Sequence, residues 1–341
     1  LIVGKSERVN RKMKHNDRSE WNYHPEIPLK DNSLFGNFKS ISFVLKWFYK
    51  NWLSLSEFIV LVIIATVLWL FCYPSLIDVK YFSYIWVCQI VIINFFVMLF
   101  FAGGLHWYFY IIKGQAKELK FDHRDQTREN RSFLFSDQVK DNMFWTLTSG
   151  VLNLSFFQSV TMWAMANGYI PSVIFNEISI WFFLWFFLGF IYIPIWAAFH
   201  FYWIHRFLHL PFMYRRFHAL HHRNINIGPW SGMSMHPVEH FLYISSTCIH
   251  WIVLAHPIHL IFHLLWLGPG ASMSHTGYEN MIIKDKKRLA LGTFYHQLHH
   301  RYYECNYGNQ EMPWDRWFGT FHDGSRKATE ETRSRKKKMY S

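Results

Sequence analysis

Four long uncharged stretches occupy the middle of the chain and predict helices that cross a membrane. They cover residues 58–77, 81–112, 142–176 and 178–205. About 20 apolar residues are enough for a helix to cross roughly 30 Å of hydrocarbon. The third stretch is more polar than the others, and the fourth contains Pro194, which predicts a kink. The pattern therefore indicates a membrane protein with about four spans.

A fifth apolar stretch, residues 241–278, is interrupted by Pro257 and by Gly268-Pro269-Gly270. Irregular backbone at membrane depth is tolerated where protein surrounds it. We therefore expect a re-entrant or interfacial helix pair, or a helix packed beneath a cytosolic cap, rather than a simple crossing. The predicted fold class is all-α: a multi-pass membrane helical bundle with a cytosolic histidine-lined cap. Besides His275 near its end, the stretch contains His250, His256, His259 and His263.

Charge predicts the orientation of these spans. The net charge is +12, and the basic excess lies near the two ends, whereas the loops between spans one and two and between spans three and four carry few charges. The positive-inside rule then places both termini, the charged loop 113–141 and the region after His205 in the cytoplasm. Residues 1–56 form a polar cytosolic segment, residues 57–204 the spans and residues 323–341 a basic tail. Beside a membrane, such basicity fits anionic lipid rather than nucleic acid.

Composition supports a membrane protein and gives no sign of a disulfide framework. Half of the residues are hydrophobic (51%) and a fifth are aromatic (20%), while only 17% are charged. The four cysteines include no CxxC pair, so the sequence indicates neither a disulfide scaffold nor a zinc ribbon.

Sixteen of the 21 histidines lie between residues 200 and 300, and their spacing is regular. Histidines four residues apart share one face of a helix. Imidazole suits iron, zinc or copper, and it must be neutral to bind. Eight histidines exceed the three or four protein ligands of a single zinc site, so two metal ions are the economical interpretation. The three boxes are His205-x3-His209, His218-x2-His221-His222 and His296-x2-His299-His300.

At these residues the chain resembles the sterol desaturase and fatty acid hydroxylase superfamily. The resemblance covers residues 200–319 and includes Asn306-Tyr307-Gly308 and the closing run 314–320, Trp-Asp-Arg-Trp-Phe-Gly-Thr. It implies a di-iron catalytic region over residues 205–322. The ligands that it implies are His205, His209, His218, His221, His222, His275, His296, His299 and His300, with His236 as a further candidate.

Three carboxylates are candidates for orienting the ligand histidines. Glu239 lies in His236-Pro-Val-Glu239-His240, Glu279 stands four residues after His275, and Asp315 lies in the closing run. Metal-bound imidazoles commonly donate their second N–H to a carboxylate or a carbonyl oxygen.

The resemblance implies the chemistry of a lipid oxygenase. Such an enzyme uses two iron ions, O2 and two electrons from a separate small cytochrome or ferredoxin, because this chain shows no flavin or nicotinamide fingerprint. It hydroxylates or desaturates a lipid, of sterol or fatty acyl type, that enters from the membrane. We expect the site to face the cytoplasm. Residues 228–240 resemble a bacterial branch of the superfamily weakly, which favours a bacterial plasma membrane. In a eukaryote, the expected location is the endoplasmic reticulum.

Two other functions are compatible with parts of the sequence. His236-x2-Glu239-His240 matches an inverted zinc-protease motif, in which two histidines hold zinc and the glutamate acts as base. A histidine-rich metal transporter is the other alternative. The protease leaves the three boxes unexplained, and the transporter would place ligands within the spans rather than beside them.

Overall fold

The computed structural model describes residues 21–30, 34, 40–53, 56–172 and 180–340. Predictions for residues 1–20, and for much of the loop between the third and fourth predicted spans, lie outside this part of the chain. The first half of the described chain contains α1 (Ile41–Leu53), α2 (Glu57–Phe71), α3 (Tyr84–Ile111), α4 (138–166) and α5 (Ile180–Leu208).

The second half is built from shorter elements around one long helix. They are α6 (211–222), a 3-10 segment (Pro229–Met233), α7 (Pro237–Ile244), a second 3-10 segment (Ser245–Trp251), α8 (Pro257–Ser274), β1 (Asn280–Ile283), β2 (Lys286–Ala290), α9 (Phe294–Tyr302), α10 (Trp314–Trp317) and α11 (Arg326–Tyr340). The prediction of a predominantly helical membrane protein is confirmed. The all-α description omits the β1–β2 hairpin, whose turn residues Lys284 and Asp285 both have positive φ.

Two described helices, α3 and α5, are long and apolar enough to cross a membrane. A third span results if α1 and α2, which meet at a bend of 57°, are counted as one broken crossing. Ser56 and Ser83 begin α2 and α3 by accepting hydrogen bonds from backbone N–H groups in the first turn. Helix α5 continues through Pro194.

Helix α4 occupies the region of the third predicted span, but it is not among the helices that are apolar enough to cross. Its buried face carries Ser155 and Gln158, which accept hydrogen bonds from Asn94 of α3 at 3.0 Å. The hydroxyl of Tyr73 donates to the Asn94 side-chain oxygen at 2.6 Å. This polar network packs α4 against α3. The same polar side chains lower the mean hydropathy of α4.

Helix α8 is the centre of the molecule. It is buried along nearly its whole length and packs against α2, α4, α5 and the Pro229–Met233 segment. It begins with His256 as N-cap and Pro257 in the first turn, a position that proline tolerates well. Its last turn leads directly into His275. The fifth apolar stretch therefore forms a buried helix that ends at the histidine-rich region.

Candidate metal centre

Helices α5, α6 and α9, together with the residues that directly follow α5 and α8, bring nine buried histidines together. The ligand atoms within each of two groups all lie within 4.8 Å of one another. Cluster A consists of His205, His209, His218, His222 and His299; cluster B consists of His221, His275, His296 and His300.

Both HxxHH boxes are divided between the clusters. His218 and His222 belong to cluster A, whereas His221 belongs to cluster B. Residues four apart share a helix face, but consecutive residues point about 100° apart. In the third box the two clusters are exchanged: His296 and His300 belong to cluster B, and His299 belongs to cluster A. Each box therefore contributes one i, i+4 pair to one cluster and one single histidine to the other.

Backbone carbonyl oxygens fix the orientation of four of these rings. Nδ1–H of His205 donates to Tyr307 at 2.7 Å, that of His299 to Cys305 at 2.6 Å and that of His275 to Ala271 at 2.8 Å. His221 makes a longer contact of the same kind, 3.3 Å, with Ser234. A carbonyl oxygen can only accept, so Nδ1 carries the proton and Nε2 presents a bare lone pair.

Two buried glutamates contact further ligand rings. Glu239 Oε1 lies 2.7 Å from Nδ1 of His218. Glu304 Oε1 lies 3.4 Å from Nδ1 of His209, and Glu304 also accepts from the Tyr307 hydroxyl. Glu304 was not among the orienting carboxylates predicted from the sequence, and its position four residues after His300 was the one available signal. Burial raises the pKa of Glu239 to about 8.

Burial also keeps the cluster histidines neutral. It lowers the pKa of His218 to about 3 and that of His221 to about 4, and it lowers the pKa of His299 and His300 well below the ordinary histidine range. Neutral imidazole is the form that binds a metal ion. The clusters are therefore in a binding-competent protonation state at neutral pH.

The donor geometry fits two metal ions. Nε2 atoms face each other at 3.1 Å in His205–His218 and His222–His299, and at 3.0 Å in His275–His296. Adjacent nitrogen ligands about 2.1 Å from one ion lie about 3.0 Å apart. Where lone pairs converge in a buried space, a cation relieves their mutual repulsion. Nine imidazoles in two groups therefore could hold one ion in each group.

Two candidates from the sequence lie elsewhere. His236 is outside both clusters, because its Nδ1 accepts from the Val238 N–H and caps α7. Glu279 accepts instead from the Tyr23 hydroxyl at 2.6 Å and from Lys287 at 3.1 Å. Neither residue contacts a cluster histidine, so the ligand and orienting roles suggested for them are not supported.

Asp315 affects cluster A indirectly, through the backbone segment that it holds. It accepts hydrogen bonds from the backbone N–H groups of Tyr307 and Gly308 at 2.8 and 2.7 Å, and from the Thr320 hydroxyl at 2.6 Å. These bonds hold the segment whose Tyr307 carbonyl accepts from His205. Asp315 is thus a positioning residue that acts through the backbone.

The inverted zinc-protease motif does not form a site in the described part of the chain. His240 interacts with the Ser149 hydroxyl at 3.0 Å and with the Met233 carbonyl at 3.1 Å, whereas His236 caps a helix.

The histidines of the fifth apolar stretch also bond to protein groups. His263 contacts Ser246 and His250, and His259 donates to the Phe186 carbonyl.

A cavity of about 360 Å³ adjoins both clusters. His205 and His218 of cluster A line it, together with His221, His275 and His296 of cluster B. Its other walls are largely apolar, and they are contributed by α1, α2, α5, α8 and the segments on either side of α9. A hydrophobic molecule in this cavity would lie directly against the metal-binding face of the histidines.

Comparison with known proteins agrees with this geometry. Residues 190–320 match the family model described as fatty acid hydroxylase. The chain is 32% identical to the Delta(7)-sterol 5(6)-desaturase of Saccharomyces cerevisiae, over 34% of this chain and 31% of that protein. It is 32% identical to the putative Delta(7)-sterol-C5(6)-desaturase 2 of Arabidopsis thaliana, over 39% of this chain and 49% of that protein.

A longer match is to the Delta(7)-sterol-C5(6)-desaturase of Nicotiana tabacum, which is 26% identical over 67% of this chain and 80% of that protein. The chain spans about a third to a half of the length of the first two relatives. No solved structure matches the chain. The matched region contains all nine cluster histidines, and over this region the chain is similar to the fatty acid hydroxylase family and to sterol desaturases.

Proposed function

We propose that the protein is a membrane lipid oxygenase that introduces a double bond into a sterol. The observation that carries the proposal is the convergence of nine buried histidines in two adjacent clusters on the wall of one apolar cavity. The sterol and the reaction are taken from the names of the relatives, which are Delta(7)-sterol desaturases of fungi and plants.

The residues of clusters A and B would hold two iron ions, one in each cluster. When bound, the two ions supply the capacity to reduce O2 and to take hydrogen from an unactivated C–H bond. In the overall reaction, two hydrogen atoms leave adjacent carbons of the substrate. Together with two electrons and two protons, they reduce one O2 to two waters. The chain contributes the fixed ring orientations, because the carbonyl groups of Tyr307, Cys305 and Ala271 hold three ligands in one tautomer.

The cavity walls position the substrate and keep bulk water out. Phe201, Leu208 and Leu267 provide apolar surface beside the histidines. An apolar substrate displaces water from such a surface and gains about 25 cal/mol for each Å² that it buries. Exclusion of water also limits loss of oxidising equivalents to side reactions.

The electrons would come from a separate carrier protein on the cytoplasmic side. The relatives from fungi and plants favour the endoplasmic reticulum membrane over the bacterial plasma membrane. The cytoplasmic orientation rests on the basic flanks of the spans, and it stays a prediction.

Expression in Saccharomyces cerevisiae lacking its own Delta(7)-sterol 5(6)-desaturase tests the function. We expect the wild-type chain to restore sterols with a 5,7-diene, measured by gas chromatography and mass spectrometry. His218→Ala and His299→Ala should abolish the product, because each removes a ligand of cluster A. His123→Ala is the control, since its side chain is 61% exposed on a loop.

Metal analysis of the purified protein completes this test. About two irons per chain are expected, one for each cluster. An unchanged sterol profile from a folded, iron-loaded protein would refute the assignment of a sterol substrate. A single zinc in place of iron would refute the oxygenase.

A further inference from the structure

Two carboxylic acids line the cavity without contributing to either histidine cluster. Glu57 lies in the first turn of α2, and Glu311 lies in the segment before α10. The two side chains repel each other electrostatically. Burial raises the pKa of Glu311 to about 7. Burial of unpaired acids opposes folding. The presence of two interacting carboxyl groups in an apolar cavity therefore indicates that a ligand forms hydrogen bonds with them.

The indole N–H of Trp52 is a third polar group in the same wall. Trp52 is only 1% exposed, and its Nε1 has no hydrogen-bond acceptor in the described part of the chain. It lies near enough to the Glu311 carboxyl to lower the pKa of that group, without completing a hydrogen bond. A buried donor without an acceptor loses its hydrogen bonds to water without replacement, so it destabilises the fold. The cavity therefore offers one unsatisfied donor beside two acidic groups.

Space for Glu57 depends on a glycine in the central helix. A Cβ added at Gly270 would lie 2.8 Å from Glu57 Oε1, which is too close for an ordinary contact. Tyr243, another residue of the cavity wall, also interacts electrostatically with Glu57. The carboxyl group is thus held between α2 and α8 at the cavity surface and is not directed away from it.

The three groups together select among the possible polar ends of a lipid. A carboxylate or a phosphate is disfavoured, because its negative charge would be buried beside acidic groups in a cavity whose described lining includes no Lys or Arg. An ammonium group has donors only, so it leaves the Trp52 N–H unsatisfied. A purely apolar end leaves all three groups without partners. A hydroxyl group accepts one hydrogen bond and donates another, so it can bond to the Trp52 N–H and to a carboxylate oxygen at once.

We propose that Glu57, Glu311 and Trp52 form a binding site for the hydroxyl group of a neutral lipid alcohol. The inference rests on the proposed function and deepens it, because it selects sterols and other alcohols over fatty acids, acyl esters and phospholipids. These residues are specificity determinants rather than metal ligands, and none of them belongs to cluster A or cluster B.

The site also constrains where the substrate is attacked. Gly270, which adjoins Glu57, precedes His275 of cluster B by five residues on the same stretch of chain. At a rise of 1.5 Å per residue, this separation is about 7.5 Å along the helix axis. A hydroxyl group bound beside Glu57 therefore places the part of the lipid near that group, rather than its far end, towards cluster B.

Binding to the full-length, iron-loaded protein in detergent tests the proposal. The probes are a tritiated Delta(7)-sterol and its 3-O-methyl ether, which keeps the shape but loses the donor. The wild-type protein should bind the alcohol about tenfold more tightly than the ether, which is the effect of one hydrogen bond to a charged or unsatisfied partner. A second pair, 1-hexadecanol and its methyl ether, extends the measurement beyond sterols.

Substitutions locate the preference. Glu311→Leu should weaken binding of the alcohol about tenfold and abolish the preference over the ether, because both hydrogen-bonding capacity and charge are lost. Glu311→Gln should keep most of the preference, since an amide can still donate and accept. Trp52→Phe should reduce the preference. Glu330→Gln, an exposed substitution on α11, is the matched control and should bind like the wild type.

The readouts separate a binding role from a structural one. Glu311→Leu removes a buried carboxyl, so the melting temperature and iron content should be unchanged or higher while binding weakens. A lower melting temperature with an unchanged preference for the alcohol would overturn the proposal. Equal affinity for alcohol and ether in both probe pairs would also overturn it. That result would leave the oxygenase function intact if the wild type still forms the diene sterol.

Discussion

His221 and His222 are neighbours in the chain, but they face different clusters. The ring of His222 lies with His209 and His299, at Nε2 separations of 3.1 Å. The ring of His221 lies with the histidines of cluster B. Since consecutive helical residues point about 100° apart, one short helix can serve two metal ions. The His-His pairs at 221–222 and 299–300 are therefore the junctions between the clusters.

Pairwise substitution tests this division. Either His221→Ala or His222→Ala should reduce the iron content from about two to about one per chain, because each removes a ligand from one cluster. Combining His221→Ala with His275→Ala should cause little further loss, since both belong to cluster B. Combining His222→Ala with His275→Ala should remove both ions, because the substitutions affect different sites. Iron is measured by plasma mass spectrometry.

His236→Ala is the control for these substitutions. The residue lies outside both clusters and caps α7, so both irons should remain. Equal iron contents in the two double variants would contradict the assignment of His221 and His222 to separate ions.

At the scale of elements, the end of α8 is fixed by its contact with the Pro229–Met233 segment. A Cβ added at Gly232 would lie 2.2 Å from the carbonyl oxygen of Ala271 and 2.5 Å from its carbonyl carbon. The same carbonyl oxygen accepts the Nδ1–H of His275 at 2.8 Å. Close backbone approach, which only glycine permits here, thus connects helix packing with the orientation of a predicted ligand.

Gly232→Ala should destabilise the protein by about 1–3 kcal/mol, because backbone atoms must move to relieve the overlap. It should also weaken iron retention at cluster B, where His275 depends on the displaced carbonyl. The melting temperature in detergent and the iron content report these two effects.

Gly104→Ala is the matched control, because nothing lies within 4 Å of the added Cβ and the residue is in a helix. Alanine is favoured over glycine in helix interiors by about 1 kcal/mol, so this variant should be as stable as the wild type or more so. If Gly232→Ala were equally well tolerated, the proposed dependence of cluster B on this contact would be wrong.

At the scale of the whole molecule, folding removes many histidines from water at once. The folded-state pKa is about 3 for His218 and about 4 for His221, because burial disfavours the charged form. In an unfolded chain, histidine has a pKa of about 6.5. The unfolded state therefore binds more protons than the folded state at any pH between these values. The contribution of these residues to stability is complete above about pH 6.5 and declines as the pH falls.

The metal-free protein should therefore melt at a lower temperature at pH 5.5 than at pH 7.5. Each such histidine contributes up to about 1.4 kcal/mol per pH unit in this interval. A His218→Gln/His221→Gln variant should show a smaller decrease, because two of the titrating groups are absent. Scanning fluorimetry on protein stripped with a chelator provides the measurement. Equal melting temperatures at the two pH values would show that the histidines are protonated in the folded state.

Much of the site was predictable from the sequence because its signals are local. The box spacings, His275 and Glu239 are patterns within a few residues, and the apolar stretches predicted α2, α3 and α5. Helix geometry alone directs the consecutive histidines of a box to different sides, but the cluster that each one joins depends on where the partner helices lie.

The tertiary structure decided which residues of distant segments meet. Glu304 reaches His209 across 95 positions. The sequence motif around His236 suggested a ligand, but the first turn of α7 uses that side chain as a cap. The sequence by itself determined a helical membrane protein with enough neutral imidazoles for two metal ions, because periodicity and residue type act locally. Only the fold decided the membership of each cluster and the polar groups of the cavity, because those depend on contacts between residues far apart in the chain.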